Sequence, residues 1–174
     1  MRPSMPAPDG RGRPRLTIAP LDDLTAVDRT AIIRLCTGAH DVDFGRLFEF
    51  LSDPTHVLAS LGDELVGHAC WTPRRLRPAG MPPLRTAWVD AVSTAPAHQN
   101  RGFGSLVMRR LAAETVGFAL GALGTERLTF YERLGWEAWR GQTEGVLHDP
   151  LDTLMVLRTA TTPALDVAAR ITAP

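Results

Sequence analysis

Lysine is missing from this chain: all 19 basic residues among its 174 are arginine. A coding bias that also enriches Ala, Gly and Pro accounts for it, yet the absence excludes every mechanism that requires a lysine, the Walker phosphate loop included. Cysteine is nearly absent too, with Cys36 and Cys70 far apart and in no C-x-x-C spacing. Cys36 falls in a helical pattern and Cys70 in an apolar strand pattern, so both read as buried, unreactive thiols. Long hydrophobic runs are lacking: no segment reaches the roughly 18 apolar residues of a spanning helix. Met1 to Arg15 has no apolar stretch of signal-peptide length, so a cytoplasmic protein is expected. Formal net charge is zero, which gives no basis for non-specific binding to nucleic acid or membrane. His40, His68 and His98 are not spaced as ligands, and no metal is expected.

What is present fits one domain. The Pro-, Gly- and Arg-rich residues 1–15 read as a disordered tail, leaving 16–174 for a single folded unit. Leu16 to Ala19 reads as a strand stopped by Pro20. Asp22 or Asp23 then offers an N-cap for a helix carrying Leu24, Val27, Ala31, Ile32 and Leu35, ending near Gly38. Phe44 to Leu51 shows a short amphipathic helix. Val57 to Leu61 and Leu65 to Trp71, joined by Gly62-Asp63-Glu64, read as a hairpin. Pro73 to Pro83 reads as a loop, and Thr86 to Thr94 as a strand. A helix follows from Gly102 to about Thr115, then a strand over Val116 to Leu123 and a short helix over Thr125 to Leu134 closed by Gly135. Trp136 to Trp139 and Thr153 to Leu157 supply two last strands. The expected order is β-α-α-β-β-β-α-β-α-β-β.

Gln99-Asn100-Arg101-Gly102-Phe103-Gly104 lies between the apolar strand and the helix that opens at Ser105. A glycine-bearing turn that opens a helix collects backbone N–H groups and the positive end of the dipole at one place. Gly102 and Gly104 permit close approach, and Arg101 adds a charge. Pyrophosphate is the natural guest. The dinucleotide fingerprint G-x-G-x-x-G is not satisfied, because Gly102-Phe103-Gly104-Ser105-Leu106-Val107 has no third glycine.

The spacing [Gln/Arg]-x-x-Gly-x-[Gly/Ala], met by Gln99, Gly102 and Gly104, resembles the coenzyme A pyrophosphate loop of the GNAT N-acyltransferases. The resemblance runs from about Leu16 to Leu157 and implies the GNAT fold, an α/β (α+β) architecture with a central mixed, mostly antiparallel sheet flanked by helices. It implies acetyl-CoA as cosubstrate, held by Gln99 to Ser105 and by backbone groups of Val92, Ser93 and Thr94 pairing with the pantetheine arm like an added strand. Tyr131 is the only tyrosine. Its segment, Phe130-Tyr131-Glu132-Arg133-Leu134-Gly135-Trp136, looks like the family's Y-x-x-x-G-[WF], in which the hydroxyl meets the departing sulfur. A phenol is protonated at neutral pH and suits a thiolate that must be protonated or hydrogen-bonded; a core tyrosine with its hydroxyl at the edge is the alternative. Asp90 is a charge in an otherwise apolar strand, a costly placement without a purpose or partner, and is the candidate that assists the attacking amine.

Within that family, Thr37 to Phe44, Trp88 to Thr94, Leu120 to Thr125 and Tyr131 to Thr143 are similar to the aminoglycoside 2′-N-acetyltransferases. The resemblance implies substrate contacts by Asp43, Asp90 and Ala91, with Asp at position 90 where the family commonly has Glu. Asp43 reads equally as the N-cap before Phe44. Gly124 falls where the family has a substrate-contacting serine. The acidic loop before the last strand is shortened here, leaving Asp149 and Asp152 as substitutes, and the chain ends about where a pocket-closing tail would begin. The expected reaction is acetyl transfer from acetyl-CoA to a primary amine of a small molecule, an aminoglycoside-like amino sugar in the finer reading, by direct attack in a ternary complex. The alternatives are a non-catalytic acyl-CoA-binding domain and an acyltransferase acting on an unrelated amine or a peptide. No nucleic-acid or membrane partner is expected, and a homodimer is compatible with the reading.

Overall fold

Alternating apolar side chains let Arg15–Pro20 (β1) lie on the edge of a sheet whose next strands are Thr55–Leu61 (β2) and Glu64–Pro78 (β3). The structure, a computed structural model, describes residues 12–173. Most of the expected tail, residues 1–11, lies outside the described residues, and Arg15 already belongs to β1. Leu84–Thr94 (β4) pairs antiparallel with β3, and Leu120–Thr125 (β5) pairs parallel with β4. Glu137–Ala138 (β6) and Thr153–Arg158 (β8) complete the order β1-β2-β3-β4-β5-β8-β6. Two short strands, Thr143–Glu144 (β7) and Ile171–Thr172 (β9), pair with each other and attach the C-terminal segment to the end of β3. Neither is apparent in the sequence.

Helices cover both faces. Phe103–Glu114 (α3) and Leu128–Glu132 (α4) pack on one face over Val57, Ala59, Ala69, Trp71, Ala87 and Val89. Ala26–His40 (α1) and the single turn Leu47–Phe50 (α2) cover the other, where Ile32 and Cys36 are fully buried. A third cluster around Trp88, Trp139, Leu154 and Ile171 lies beneath the C-terminal segment. No helix among the described residues is long and apolar enough to cross a membrane.

Several boundaries differ from the expectation, each for a physical reason. Thr25, not Asp22 or Asp23, caps α1: its hydroxyl accepts from the Asp28 N–H at 3.1 Å while Asp28 accepts from the Thr25 N–H at 2.9 Å, a reciprocal pair. The helix runs past Gly38 and ends at Asp41, which takes the left-handed φ of 55°. The helical segment expected over Phe44 to Leu51 is reduced to α2. The loop expected from Pro73 is strand as far as Pro78, because pairing with β2 stops at Trp71 and leaves β3 an edge on that side, where prolines are tolerated. Residues 116–119 form a turn with Val116 exposed, so β5 starts at Leu120. The helix expected over Thr125 to Leu134 narrows to α4.

Trp139 anchors the C-terminal segment, being buried in the third cluster with its indole N–H donating to the Ala169 carbonyl at 2.8 Å. Replacing it by alanine should lower unfolding stability by about 3–5 kcal/mol, read as a drop in the urea midpoint. An unchanged midpoint would show that the segment adds nothing to the fold.

Candidate active site

β4 and β5 pair only over Thr86–Trp88 and Leu120–Ala122. Beyond that the strands separate, and a cleft of about 750 Å³ opens between Val89–Thr94 on one wall and Leu123–Thr125 on the other. Its remaining walls come from the turn after β4, from α3 and from α4. Val92, Ser93, Thr94, Gln99, Asn100, Gly102, Phe103, Gly104 and Ser105 all line it, together with Asp90, Ala91, Gly124, Tyr131 and Asp152. Residues expected from five separate stretches of sequence therefore meet in one cavity.

The turn has the backbone its composition calls for. Asn100 and Gly102 are left-handed, with φ of 59° and 86°, and a Cβ on Gly102 would meet nothing within 4 Å. The first helical hydrogen bond of α3 runs from the Leu106 N–H to the Gly102 carbonyl at 3.0 Å. The N–H groups of Phe103, Gly104 and Ser105 precede it and are the free donors of a helix N-terminus. At Gly104 a Cβ would lie 3.2 Å from Thr94 Oγ1, so strand and helix approach closely there. Arg101 instead turns to His98, its Nη1 being 2.8 Å from His98 Nδ1, and is not among the lining residues. Arg127 and Arg133, which flank α4 at its two ends, contribute cations to the cleft wall.

Tyr131 is buried in the core, and its hydroxyl makes no hydrogen bond among the described residues. Burial is the main reason its pKa is pushed up to about 12; Asp152 adds to the shift and Arg127 opposes it. Asp90 sits on β4 with Oδ1 accepting from the Trp88 indole N–H at 3.1 Å. Its other oxygen, Oδ2, is buried without a hydrogen bond and lies 3.8 Å from Arg74 Nη2. Burial raises the Asp90 pKa, against lowering by Arg74, the Trp88 bond and His148. Asp152 is also raised, by burial and then by its neighbours Asp149 and Glu126.

A second cavity of about 310 Å³ adjoins the first, lined by Asp43, Phe44, Leu47, Leu51, Arg74 and His148 among others. Phe44, Asp90 and Ala91 belong to both cavities, so Asp90 stands at their junction. Asp43 Oδ1 accepts from the Gly45 N–H at 2.7 Å, which makes it a turn residue as well as a pocket wall. Asp149 lines neither cavity and accepts from the Leu151 N–H at 2.9 Å. A Cβ at Gly124 would lie 2.9 Å from both Asp152 Oδ2 and Leu147 Cδ2, so a serine does not fit there without displacement.

Ala91 carries the least expected feature. It has φ of 52°, a costly conformation for a residue with a Cβ. One residue lies between His68 and Cys70 on β3, but two lie between their partners Ser93 and Asp90 on β4, which defines a β-bulge. The Ala91 carbonyl accepts from His68 Nδ1 at 2.8 Å and from the Ser93 hydroxyl at 3.2 Å. His40 Nε2 stands 3.1 Å from the Val92 carbonyl. A carbonyl only accepts, so His68 carries its proton on Nδ1, and its Nε2 accepts from His56 Nδ1 at 2.9 Å. His56 Nε2 is then a bare lone pair, buried and unpartnered.

Sequence reading missed this pair because it joins β2, β3 and the bulge across separations that no local pattern shows. Cys70 completes a group whose ligand-type atoms all lie within 4.8 Å of one another, although the His56–His68 distance is that of a hydrogen bond. Both cysteines are buried and free. Burial pushes the Cys36 thiol up to about 11 and raises that of Cys70. His40, Phe44 and Arg74 were also missed; His40 and Arg74 lie in stretches that read as loop, and Phe44 in one that reads as the apolar side of a short helix.

The architecture is that of an acyltransferase built around a splayed pair of parallel strands. A profile described as "Acetyltransferase (GNAT) domain" matches residues 38–139, more than half of the chain, and the chain belongs to that family. Three solved structures show the same fold. YhbS of Escherichia coli, a GNAT family N-acetyltransferase in complex with CoA, has 14% identity over 99% of this chain and 94% of its own, with TM-score 0.67. A probable N-acyltransferase from Enterococcus faecalis has 18% identity over 71% of this chain and 32% of its own, with TM-score 0.60. A GCN5-related N-acetyltransferase from Kribbella flavida has 21% identity over 72% of this chain and 34% of its own, with TM-score 0.57. This chain thus spans about a third of the length of the latter two. A comparison with curated protein sequences finds no match.

Burial lowers the pKa of His56 to about 4, aided by Arg29, and that of His68 to about 3, aided by His56 and opposed by the Ala91 carbonyl. Below the ordinary histidine value of about 6.5, the unfolded chain binds protons that the folded chain does not. Stability therefore falls on acidification, by up to about 1.4 kcal/mol per pH unit for each histidine. The urea midpoint should drop between about pH 7 and pH 5. His56→Gln, which keeps an N–H donor for His68 but cannot titrate, should flatten that slope. Equal slopes in both proteins would show that His56 titrates in the fold as it does in the unfolded chain.

Proposed function

We propose that this protein is an N-acetyltransferase moving an acetyl group from acetyl-CoA to a primary amine of a small molecule. The observation that carries the reading is the junction. Asp90 stands where the cleft ending at the α3 N-terminus meets a second, smaller pocket, so one carboxylate faces both a donor channel and an acceptor site. The cleft residues suit the donor: free N–H groups at the start of α3 for pyrophosphate, and the separated strand Val92–Thr94 for the pantetheine arm.

In the reaction the acceptor nitrogen attacks the thioester carbonyl, forming the N–C bond, and the C–S bond breaks. Asp90 receives the proton the nitrogen loses; its raised pKa and unpartnered Oδ2 suit that role. Tyr131 faces the sulfur. With its pKa near 12, the phenol holds its proton more tightly than a thiol, whose ordinary value is about 8.5. It therefore stabilises the thiolate chiefly by donating a hydrogen bond, and water completes the protonation.

An amino sugar with a 2′-amine is the second reading. Asp43, Asp90, Asp152 and Glu126 on the cavity walls favour it, since several carboxylates suit a polycation. The experiment is CoA release from acetyl-CoA across a panel of amines, including aminoglycosides with a 2′-amine or a 2′-hydroxyl. Amine-dependent release is expected. CoA binding without turnover of any amine would identify a non-catalytic binding domain instead.

Tyr131→Phe should lower kcat by about 10²-fold, the usual effect of losing one donor to developing negative charge, while calorimetry shows CoA affinity nearly unchanged. Full activity would remove Tyr131 from the mechanism. The profile of kcat/KM against pH should fall on the acid side as Asp90 protonates, at a pH above the ordinary carboxylate value of about 3.9. Asp90→Asn should be slow and lack that limb; a limb that persists would assign it to another group.

A further inference from the structure

Arg74 lines the smaller pocket beside Asp90, where its charge offsets part of the cost of burying that carboxylate while its N–H donors stay unspent. It projects from β3 with its guanidinium 4.7 Å over the Trp88 ring and 3.8 Å from Asp90 Oδ2, and about a third of its side chain is exposed. Stacking on a buried tryptophan orients the planar group. None of its N–H donors makes a hydrogen bond among the described residues, and the distance to Asp90 is too long for one. The other cation of this pocket that carries a fixed charge is already engaged: Arg46 pairs with Glu49 at 2.6 Å. Arg74 is left as an oriented fork of free donors, the form that matches a carboxylate in two parallel hydrogen bonds. Phe44, Leu47 and Leu51 supply apolar lining in the same pocket.

We propose that the acceptor is an amino acid, with its carboxylate on Arg74, its amine against Asp90 and an apolar side chain against Phe44, Leu47 and Leu51. The 3.8 Å spacing of Arg74 and Asp90 presents opposite charges side by side, as an α-amino acid does in reverse order. An amino sugar without an anionic group leaves the N–H donors of Arg74 unfilled and sets its own charge against the guanidinium. The pocket, at about 310 Å³, is at the small end of ligand sites, which suits an amino acid better than an oligosaccharide. This assignment rests on the reading of Asp90 as the group that meets the amine.

The test measures kcat/KM for L-leucine and L-phenylalanine against their decarboxylated counterparts isoamylamine and phenethylamine, in the wild type and in Arg74→Met. Titration calorimetry of the amino acids into the CoA-loaded protein gives a readout independent of turnover. The amino acids should exceed the amines by about 10²-fold in the wild type, the effect expected of charge-assisted hydrogen bonds. Arg74→Met should remove that advantage and abolish amino-acid binding. Because Arg74 also lowers the pKa of Asp90, the amines serve as the internal reference. The ratio of amino-acid to amine kcat/KM is the quantity that should fall, by about 10²-fold.

Equal use of the amines, an equal loss for both classes in Arg74→Met, or preference for O-phosphoethanolamine or an aminoglycoside overturns the assignment. Arg74-dependent binding without any turnover supports the site while refuting acetyl transfer. Amine turnover without Arg74 dependence does the opposite. Neither binding nor turnover refutes both.

Discussion

The hydrogen bond from His68 to the Ala91 carbonyl is the interaction on which the site depends. Side chains on a strand alternate between faces with a period of two, so one extra residue reverses the alternation from that point on. Before the bulge, Asp90 faces the α1 side with Cys70; after it, Ser93 faces that side with His68. Thr94 is thereby turned to the other face, against Gly104 at the start of α3. A regular β4 cannot present Asp90 to the smaller pocket and Thr94 to the turn that opens α3. The left-handed Ala91 is unfavourable in isolation by about 1–3 kcal/mol, and it persists because its carbonyl receives two donors in a buried place. The His56–His68 pair is a buried polar network of the kind that fixes a unique geometry when its members are satisfied. Only His56 Nε2 is left over.

Burial does most of the electrostatic work around this bulge, and it acts on each group differently. It raises Asp90 toward the range where a carboxylate can take a proton, and it raises Tyr131 away from ionisation. The same desolvation lowers both histidines, so they remain neutral hydrogen-bonding parts. Arg74 limits the rise at Asp90 and also lines the smaller pocket. One guanidinium therefore both tunes the carboxylate and shapes the cavity beside it.

The parts of this protein readable in sequence are those governed by neighbours along the chain. Asn100, Gly102 and Gly104 specify a turn because few other residues take those backbone angles or permit that approach. Gly135 closes α4 with φ of 87° for the same reason. Boundaries misread are those where a distant contact prevailed over the local signal. Gly38 does not end α1, because the helix is carried on to His40, which meets the bulge at Val92. Pro73 does not end β3, because β4 continues to pair along it. Val116 is apolar but exposed, and its hydrophobicity misplaced the start of β5.

Taken alone, the sequence determined the order of the elements other than β7 and β9, the turn that opens α3, the lone tyrosine on α4 and a charge at Asp90, because each follows from residue type and short spacing. The tertiary structure decided the rest. It separated β4 from β5 to open the cleft, paired His56 with His68 across two strands, and brought Arg74 beside Asp90. It also withdrew Asp149 from both cavities and placed Asp152 and Leu147 where a side chain at position 124 must displace them. Such outcomes depend on strand register and on which faces of distant elements meet. Those are settled by packing, and no short window of sequence contains them.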